Sequence, residues 1–295
     1  MLSPPIVTTV RELQARADGE RAAGRRIALV PTMGALHAGH MSLVKAAREH
    51  ADRVWMSIFV NPTQFNDAKD FDAYPVDLAR DLALAAEHGV DLVFNPEARE
   101  LYPEGAKTWV DVEGLTDALC GASRPGHFRG VTTVVSKLLL AARPHVAVFG
   151  EKDFQQCAVI RRMVADLGFG VEIIGAPTVR EPDGLALSSR NVHLGPEARA
   201  QALALVRGLD AAEAAVARGE RGRDALLARV EAEIGRAPLA EIDYAELRDP
   251  DSLEPAPAQL AGPALLALAV EFRPGPGGQG KRVRLIDNRV LAPAG

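Results

Sequence analysis

The sequence predicts an α/β fold, with a mainly parallel sheet covered by helices on both faces and a smaller α+β domain after it. Three observations carry this. Short apolar runs alternate with helix-like stretches over the first 180 or so residues. Beyond Asn191 the texture changes to Ala-, Arg- and Glu-rich segments, and strand-like runs close the chain. A length of 295 residues suits two domains, expected at 1–180 and 181–295.

The elements follow in order. Ile27 to Val30 is short and apolar enough for a buried strand, and Pro31 and Gly34 read as turn residues after it. Gly39 to His50 has helical apolar spacing through Met41, Leu43, Val44 and Ala47. Further strands are expected at 54–60, 92–94, 109–112, 146–149 and 171–174, and helices at 77–87, 131–141 and 154–167. Two exposed helices are expected over 196–234, broken at Gly219 to Gly222, then strands at 242–247, 265–272 and 283–286. Pro274 to Gly280 reads as a hairpin tip between the last two strands.

Composition narrows the functional classes. Apolar residues make up 47% and charged residues 25%, ordinary for a globular protein. The 34 Lys and Arg against 39 Asp and Glu leave a net charge of −5, which gives no electrostatic reason for bulk nucleic-acid or membrane-surface binding. An anionic ligand would need a local basic pocket. Cys120 and Cys157 are the two cysteines, far apart and without metal-ligand spacing, which favours a reducing compartment. The first fifteen residues lack a signal-peptide pattern and no apolar run approaches a membrane span, so a cytoplasmic protein is expected.

The motif residues collect just after strands, where ligands bind in parallel sheets, so one cleft can hold them. His37 and His40 fall at a helix start, where free backbone N–H groups and the positive end of the dipole favour an anion. A capping or surface pair is the plainer alternative; for a metal, no third His or Cys ligand lies nearby. Asn61 and Gln64 stand beyond the strand that Pro62 ends, where amides can orient a polar or carboxylate substrate, or form an Asx-turn. In Gly150-Glu-Lys-Asp-Phe-Gln-Gln156, Lys152 can neutralise phosphate charge and Asp153 can cap a helix or bind a ribose hydroxyl, against the bland reading of a solvated turn. Gln155 and Gln156 point to different helix faces, so at most one faces the cleft. Ser188, Ser189 and Arg190 offer two hydroxyls and a bidentate cation for phosphates, or a helix-capping series. The basic residues of Arg124 to Gly130, before the expected helix, can receive an anion or form a loop.

The strings Pro31-Thr-Met-Gly-Ala-Leu-His-Ala-Gly-His40, Phe59-Val-Asn-Pro-Thr-Gln-Phe65, Gly126-His-Phe-Arg-Gly-Val-Thr-Thr-Val-Val135, Phe149-Gly-Glu-Lys-Asp-Phe-Gln-Gln156 and Ser188-Ser-Arg-Asn191 resemble the pantothenate synthetases in order and spacing. The resemblance runs essentially end to end, including Asp243-Tyr-Ala-Glu-Leu247 and Arg284-Leu-Ile-Asp-Asn288. HxGH alone is shared with the wider nucleotidylyltransferases and class I aminoacyl-tRNA synthetases. The amide-rich and Gly-Glu-Lys-Asp segments make the narrower match.

The resemblance implies a Rossmann-like first domain, a smaller closing domain, a homodimer, and an ATP-dependent ligase of pantothenate and hence coenzyme A biosynthesis. It would join pantoate to β-alanine through a pantoyl adenylate, releasing pyrophosphate and then AMP. No nucleophilic side chain is needed, in keeping with the absence of an evident Ser-His-Asp or Cys-His arrangement. Carried residue by residue, it implies ATP contacts at Met33, Gly34, Ala35, Leu36, His37, Ala38, Gly39 and His40, and at Gly150, Glu151, Lys152, Asp153, Val179, Leu187, Ser188, Ser189 and Arg190. His40, His37 and Lys152 would be catalytic, with His40 as proton donor; Gln64 and Gln156 would hold pantoate, and Gln64 would border β-alanine. Asn61, Tyr74, Arg124 and His127 are weaker candidates. Mg²⁺ would accompany ATP, held by phosphate oxygens rather than by a dedicated protein cage.

The chain departs from the family pattern at Leu187, usually Met and a volume-conserving change, and at the glycine-rich stretch 274–282, longer than usual. An adenylyl-transferring enzyme that leaves AMP on its product and a non-catalytic nucleotide-binding regulator are the competing readings. RNA binding is disfavoured by the acidic balance.

Overall fold

The computed structural model describes residues 3–66, 71–72, 74–275, 278 and 280–293. The chain divides into two compact units, 1–151 with 156–177, and 152–155 with 178–295.

The first unit is built on six parallel strands: β1 (Ile6–Val7), β2 (Ile27–Thr32), β3 (Arg53–Ile58), β4 (Leu92–Phe94), β5 (Val146–Gly150) and β6 (Glu172–Ala176), in the order β1-β4-β3-β2-β5-β6. Its longer helices are α1 (Val10–Ala22), α2 (Ala38–His50), α3 (Leu78–Glu87) and α4 (His127–Ala142), and α5 (Phe154–Asp166) crosses the division between the units. Successive side chains of a strand face opposite ways. Ala28, Val30, Val54, Met56, Val146 and Val148 pack with Met41, Leu43, Val44 and Ala47 of α2. The alternate Ile27, Leu29, Trp55 and Ala147 are also buried, and α1 and α4 touch each other and β2. A sheet covered on both faces explains why these strands read as continuous apolar runs. The chain runs outward from β2 through β3 to β4, then returns to the other side of β2 as β5. In parallel sheets such a reversal, here between β2 and β5, is where ligands bind beyond the carboxyl ends of the strands.

The second unit holds an antiparallel sheet, β7 (Ala240–Arg248), β8 (Ala264–Phe272) and β9 (Val283–Leu291), with α6 (Pro196–Gln201), α7 (Ala204–Ala217) and α8 (Arg223–Gly235). Leu205, Leu209 and Ala212 of α7, Leu226 and Val230 of α8, and Leu266, Leu268 and Val270 of β8 share one core. Among the described residues no helix is long and apolar enough to cross a membrane.

Several local expectations are corrected. Pro31 is not a turn residue but part of β2, opposite Ser57; pairing with β5 has ended at Leu29, so its missing N–H costs the sheet little. The strand expected at 109–112 is absent because Val110 is tied to a helix instead: its N–H donates to Thr133 Oγ1 at 3.0 Å and its carbonyl accepts from Thr132 Oγ1 at 2.5 Å. Arg129 also stacks over the Trp109 ring. Helix α4 begins at His127, so His127 and Arg129 lie within it rather than before it. The stretch 196–234 forms three helices, since a turn in which Leu205 N donates to Ala202 O separates α6 from α7 without a Gly or Pro to announce it. The tip expected over 274–280 lies partly outside the described residues.

Candidate active site

The segment from Met33 to His40 leaves β2 and enters α2. Gly34 (φ +88°) and Ala35 (φ +49°) are both left-handed, and that reversal turns the chain back over the sheet. A Cβ on Gly34 would sit 2.9 Å from Asp81 Oδ2. Asp81, in the first turn of α3 and 2% exposed, accepts from Ala35 N at 2.9 Å and from Leu36 N at 2.8 Å. One buried carboxylate thus fastens the peptide bonds just ahead of the histidines.

His37 and His40 cap α2 reciprocally. Gly39 N donates to His37 Nδ1 at 3.1 Å, and His37 N donates to His40 Nδ1 at 3.3 Å. An imidazole nitrogen that accepts carries no proton, so this box assigns the proton of each neutral ring to Nε2. The rings lie 4.1 Å apart, centroid to centroid, at a 41° tilt. The expectation of free backbone donors here is corrected for six of them: Gly34, Ala35, Leu36, His37, Gly39 and His40 spend their N–H groups internally. Imidazole N–H, backed by the positive end of the helix, is one donor this turn can offer an anion.

A second cluster follows β3, where Pro62–Gln64 forms a single 3-10 turn. Asn61, 1% exposed, accepts at Oδ1 from Thr63 N, Thr63 Oγ1 and Tyr102 Oη, and its amide donates to Gln64 Oε1 at 3.0 Å and Gly130 O at 3.1 Å. The Asx-turn alternative is thus realised, and it serves Gln64. With Oε1 taken by Asn61, the Gln64 amide presents its NH₂, which lies 3.2 Å from Met33 Sδ. Thioether sulfur is a weak acceptor that a carboxylate or hydroxyl oxygen outcompetes. The Gln64 carbonyl accepts from His127 Nδ1 at 2.8 Å and Arg124 Nη2 at 3.3 Å. Burial pushes the Tyr102 phenol up from its ordinary value, keeping it a neutral donor to Asn61. Tyr74 packs edge-on against Phe65, 5.9 Å between ring centroids. Gly150 closes β5 opposite Ala176, and Glu151 lies 3.9 Å from Arg161. Gln156 is half-buried and, among the described residues, its side chain has no hydrogen-bond partner.

In the second unit, Lys152 is 19% exposed at its side chain, with Nζ 3.8 Å from Asp153 Oδ2. Its carbonyl accepts from Asn288 Nδ2 at 2.9 Å. Buried Asp287 grips Arg180 with two hydrogen bonds of 2.6 and 2.8 Å, which raise the guanidinium above its ordinary value. Arg180 also donates to Gly184 O, closing a hairpin in which Leu187 N donates to Val179 O at 2.9 Å. The hairpin delivers Ser188, whose Oγ accepts from Arg190 N at 3.2 Å, an ST-turn rather than a helix cap. Ser188 is buried and Arg190 exposed.

Motif reading reached the histidines, the amides, Lys152 and the 187–190 run; it passed over Asp81 and Tyr102, and it quoted Gly130 and Asp287 within motif strings without giving either a role. The first three hydrogen-bond to partners 39 or more positions away, and Asp287 to one 107 away, so no local spacing marks them. Asp81 left one trace, an acid among the apolar residues of a helix's first turn.

The sequence pattern of the family described as Pantoate-beta-alanine ligase matches residues 5–290. A pantothenate synthetase of Desulfatibacillum aliphaticivorans is 51% identical over 288 residues, covering 98% of this chain and 99% of that one. The crystal structure of pantothenate synthetase from Thermus thermophilus is 46% identical with a TM-score of 0.90, covering 98% of this chain and 100% of that chain. The pantoate-beta-alanine ligase of Francisella tularensis, solved in complex with beta-gamma ATP and beta-alanine, is 33% identical with a TM-score of 0.76, covering 99% and 100%.

Proposed function

The chain belongs to the pantoate-beta-alanine ligase family, and we propose that it joins the two substrates by consuming ATP through a pantoyl-adenylate intermediate. The observation that carries this reading is the 3.2 Å approach of the Gln64 amide to Met33. It brings a carboxylate-orienting donor to the loop that bears His37 and His40. ATP use is further supported by the nucleotide in the Francisella tularensis relative.

In the proposed reaction a pantoate carboxylate oxygen attacks the α-phosphorus of ATP, and the bond to the bridging oxygen breaks to release pyrophosphate. Gln64 and Gln156 hold pantoate. His40 and His37 present Nε2–H to the phosphate oxygens, so charge building on the α-phosphate and its leaving group meets donors already oriented by the capping box. The β-alanine amine then attacks the acyl carbon, the bond to AMP breaks, and the amine gives up a proton. Adenylation makes the carboxyl an acyl donor without a covalent enzyme intermediate. Lys152, Ser188, Ser189 and Arg190 are assigned to phosphate charge, and Gly150, Glu151, Asp153, Val179 and Leu187 to the remainder of the nucleotide.

Among the described residues no group of three or more His, Cys, Asp or Glu is placed to hold a metal. Mg²⁺ is assigned to the phosphates, and no step is routed through it. By likeness to its family the enzyme is taken as a cytosolic homodimer, with its product feeding coenzyme A formation.

The test is product release from ATP and pantoate, with and without β-alanine. Pyrophosphate in both cases, with stoichiometric AMP and pantothenate only when β-alanine is present, is the expected result. An adenylylated product that persists in the presence of β-alanine would overturn the reading in favour of a transferase that keeps AMP on its product.

A further inference from the structure

We propose that Asp81 is a positioning residue for the two histidines, a role that rests on their proposed part in adenylation. Its carboxylate stabilises a backbone state that the sequence disfavours. Ala35 lies at φ +49°, a left-handed conformation that costs a non-glycine residue about 1–2 kcal/mol. It is held there because Ala35 N and Leu36 N both point at one carboxylate, at 2.9 and 2.8 Å. Leu36, 1% exposed, then anchors the far side of the loop in the core, and the next residue is the helix cap. His37 N, the donor to His40 Nδ1, follows directly from that fixed peptide.

The chain of cause is short. Asp81 sets the Ala35 and Leu36 peptides, these set where α2 begins, and that start sets the ring that accepts at each Nδ1 and so the tautomer that donates at Nε2. Asp81 also lies in the first turn of α3. It contacts no atom assigned to substrate; its effect passes through the loop.

Asp81→Asn is nearly isosteric but sets an amide NH₂ against one of two backbone donors. Two measurements are made on this full-length variant. In steady state, kcat for pantoate-dependent pyrophosphate release should fall about 10- to 100-fold, the scale of an ångström-level misplacement, while KM for pantoate stays within about twofold. In ¹⁵N-histidine NMR of the ligand-free protein, the resonances of His37 and His40, assigned by their own substitutions, should move away from the Nε2–H pattern. Asp81→Asn combined with Ala35→Gly should recover part of kcat, since glycine adopts the left-handed state without the penalty. A folded Asp81→Asn protein with unchanged histidine resonances would overturn the proposal, whether or not its melting temperature drops. If Asp81→Asn does not fold, Gly34→Ala disturbs the same contact from the loop side and must give both effects. Should the wild type release no pyrophosphate with pantoate, the catalytic reading fails by itself, and the resonances still report whether Asp81 holds the histidines.

Discussion

The imidazoles of His37 and His40 have two jobs on two nitrogens: Nδ1 caps the helix, and Nε2 is the donor that the proposed chemistry uses. His40→Ala removes both. It should lower single-turnover pyrophosphate release about 10²- to 10³-fold, about 3–4 kcal/mol of transition-state stabilisation. Loss of the cap should cost about 1 kcal/mol in a thermal melt. Near-normal adenylate formation would remove His40 from the mechanism. Gln64→Ala takes away a ground-state contact, so a raised KM for pantoate with kcat held within a few-fold is expected in steady-state kinetics. An unchanged KM would displace Gln64 from the pantoate site. Residue type and spacing pointed to both positions, because an HxGH turn and an amide after a strand are local patterns. Which nitrogen of each histidine faces outward depends on the capping geometry, which no spacing encodes.

At the scale of elements, the close approach of α4 to the 3-10 turn after β3 holds Gln64 in place. Gly130 permits it: a Cβ there would lie 2.4 Å from the Thr63 carbonyl oxygen. Gly130→Ala is expected to destabilise the fold by about 1–3 kcal/mol in urea unfolding, because backbone rather than a flexible side chain must move. It should also raise the pantoate KM by shifting the turn. Strands β2, β3 and β5 were readable because burial on both faces makes them continuous apolar runs. Helix α1 escaped notice since polar residues dominate it and its only buried side chains are Leu13 and Ala17. The segment at Trp109 has strand-like residues, yet its backbone partners are the hydroxyls of Thr132 and Thr133, and hydrogen bonding overrides propensity.

For the molecule as a whole, two independently cored units carry the residues assigned to catalysis. In the second, Asp287 and Asn288 of β9 hold two segments distant in sequence, the Arg180 hairpin and the backbone of Lys152. Asp287→Ala strands the Arg180 guanidinium, which retains Gly184 O and a partial face to water, so about 3 kcal/mol of stability should be lost on denaturant unfolding. A loss below about 1 kcal/mol would mean that water replaces the pair. The net charge of −5 gives no hint of this local arrangement, since paired arginines and carboxylates cancel in the sum.

Sequence by itself determined the fold class, most sheet strands, the family and the polar side chains assigned to substrates. Fold class and strands are written in windows of about ten residues, where apolar period and turn chemistry act, and the family in motif strings spread along the chain. Tertiary structure decided which groups hold those side chains in place. Asp81 beneath the histidine loop, Tyr102 behind Asn61 and Asp287 beneath Arg180 meet partners 41 to 107 positions away. A buried polar atom must be satisfied by whatever the fold brings near, and the fold rather than the neighbouring sequence chooses that partner.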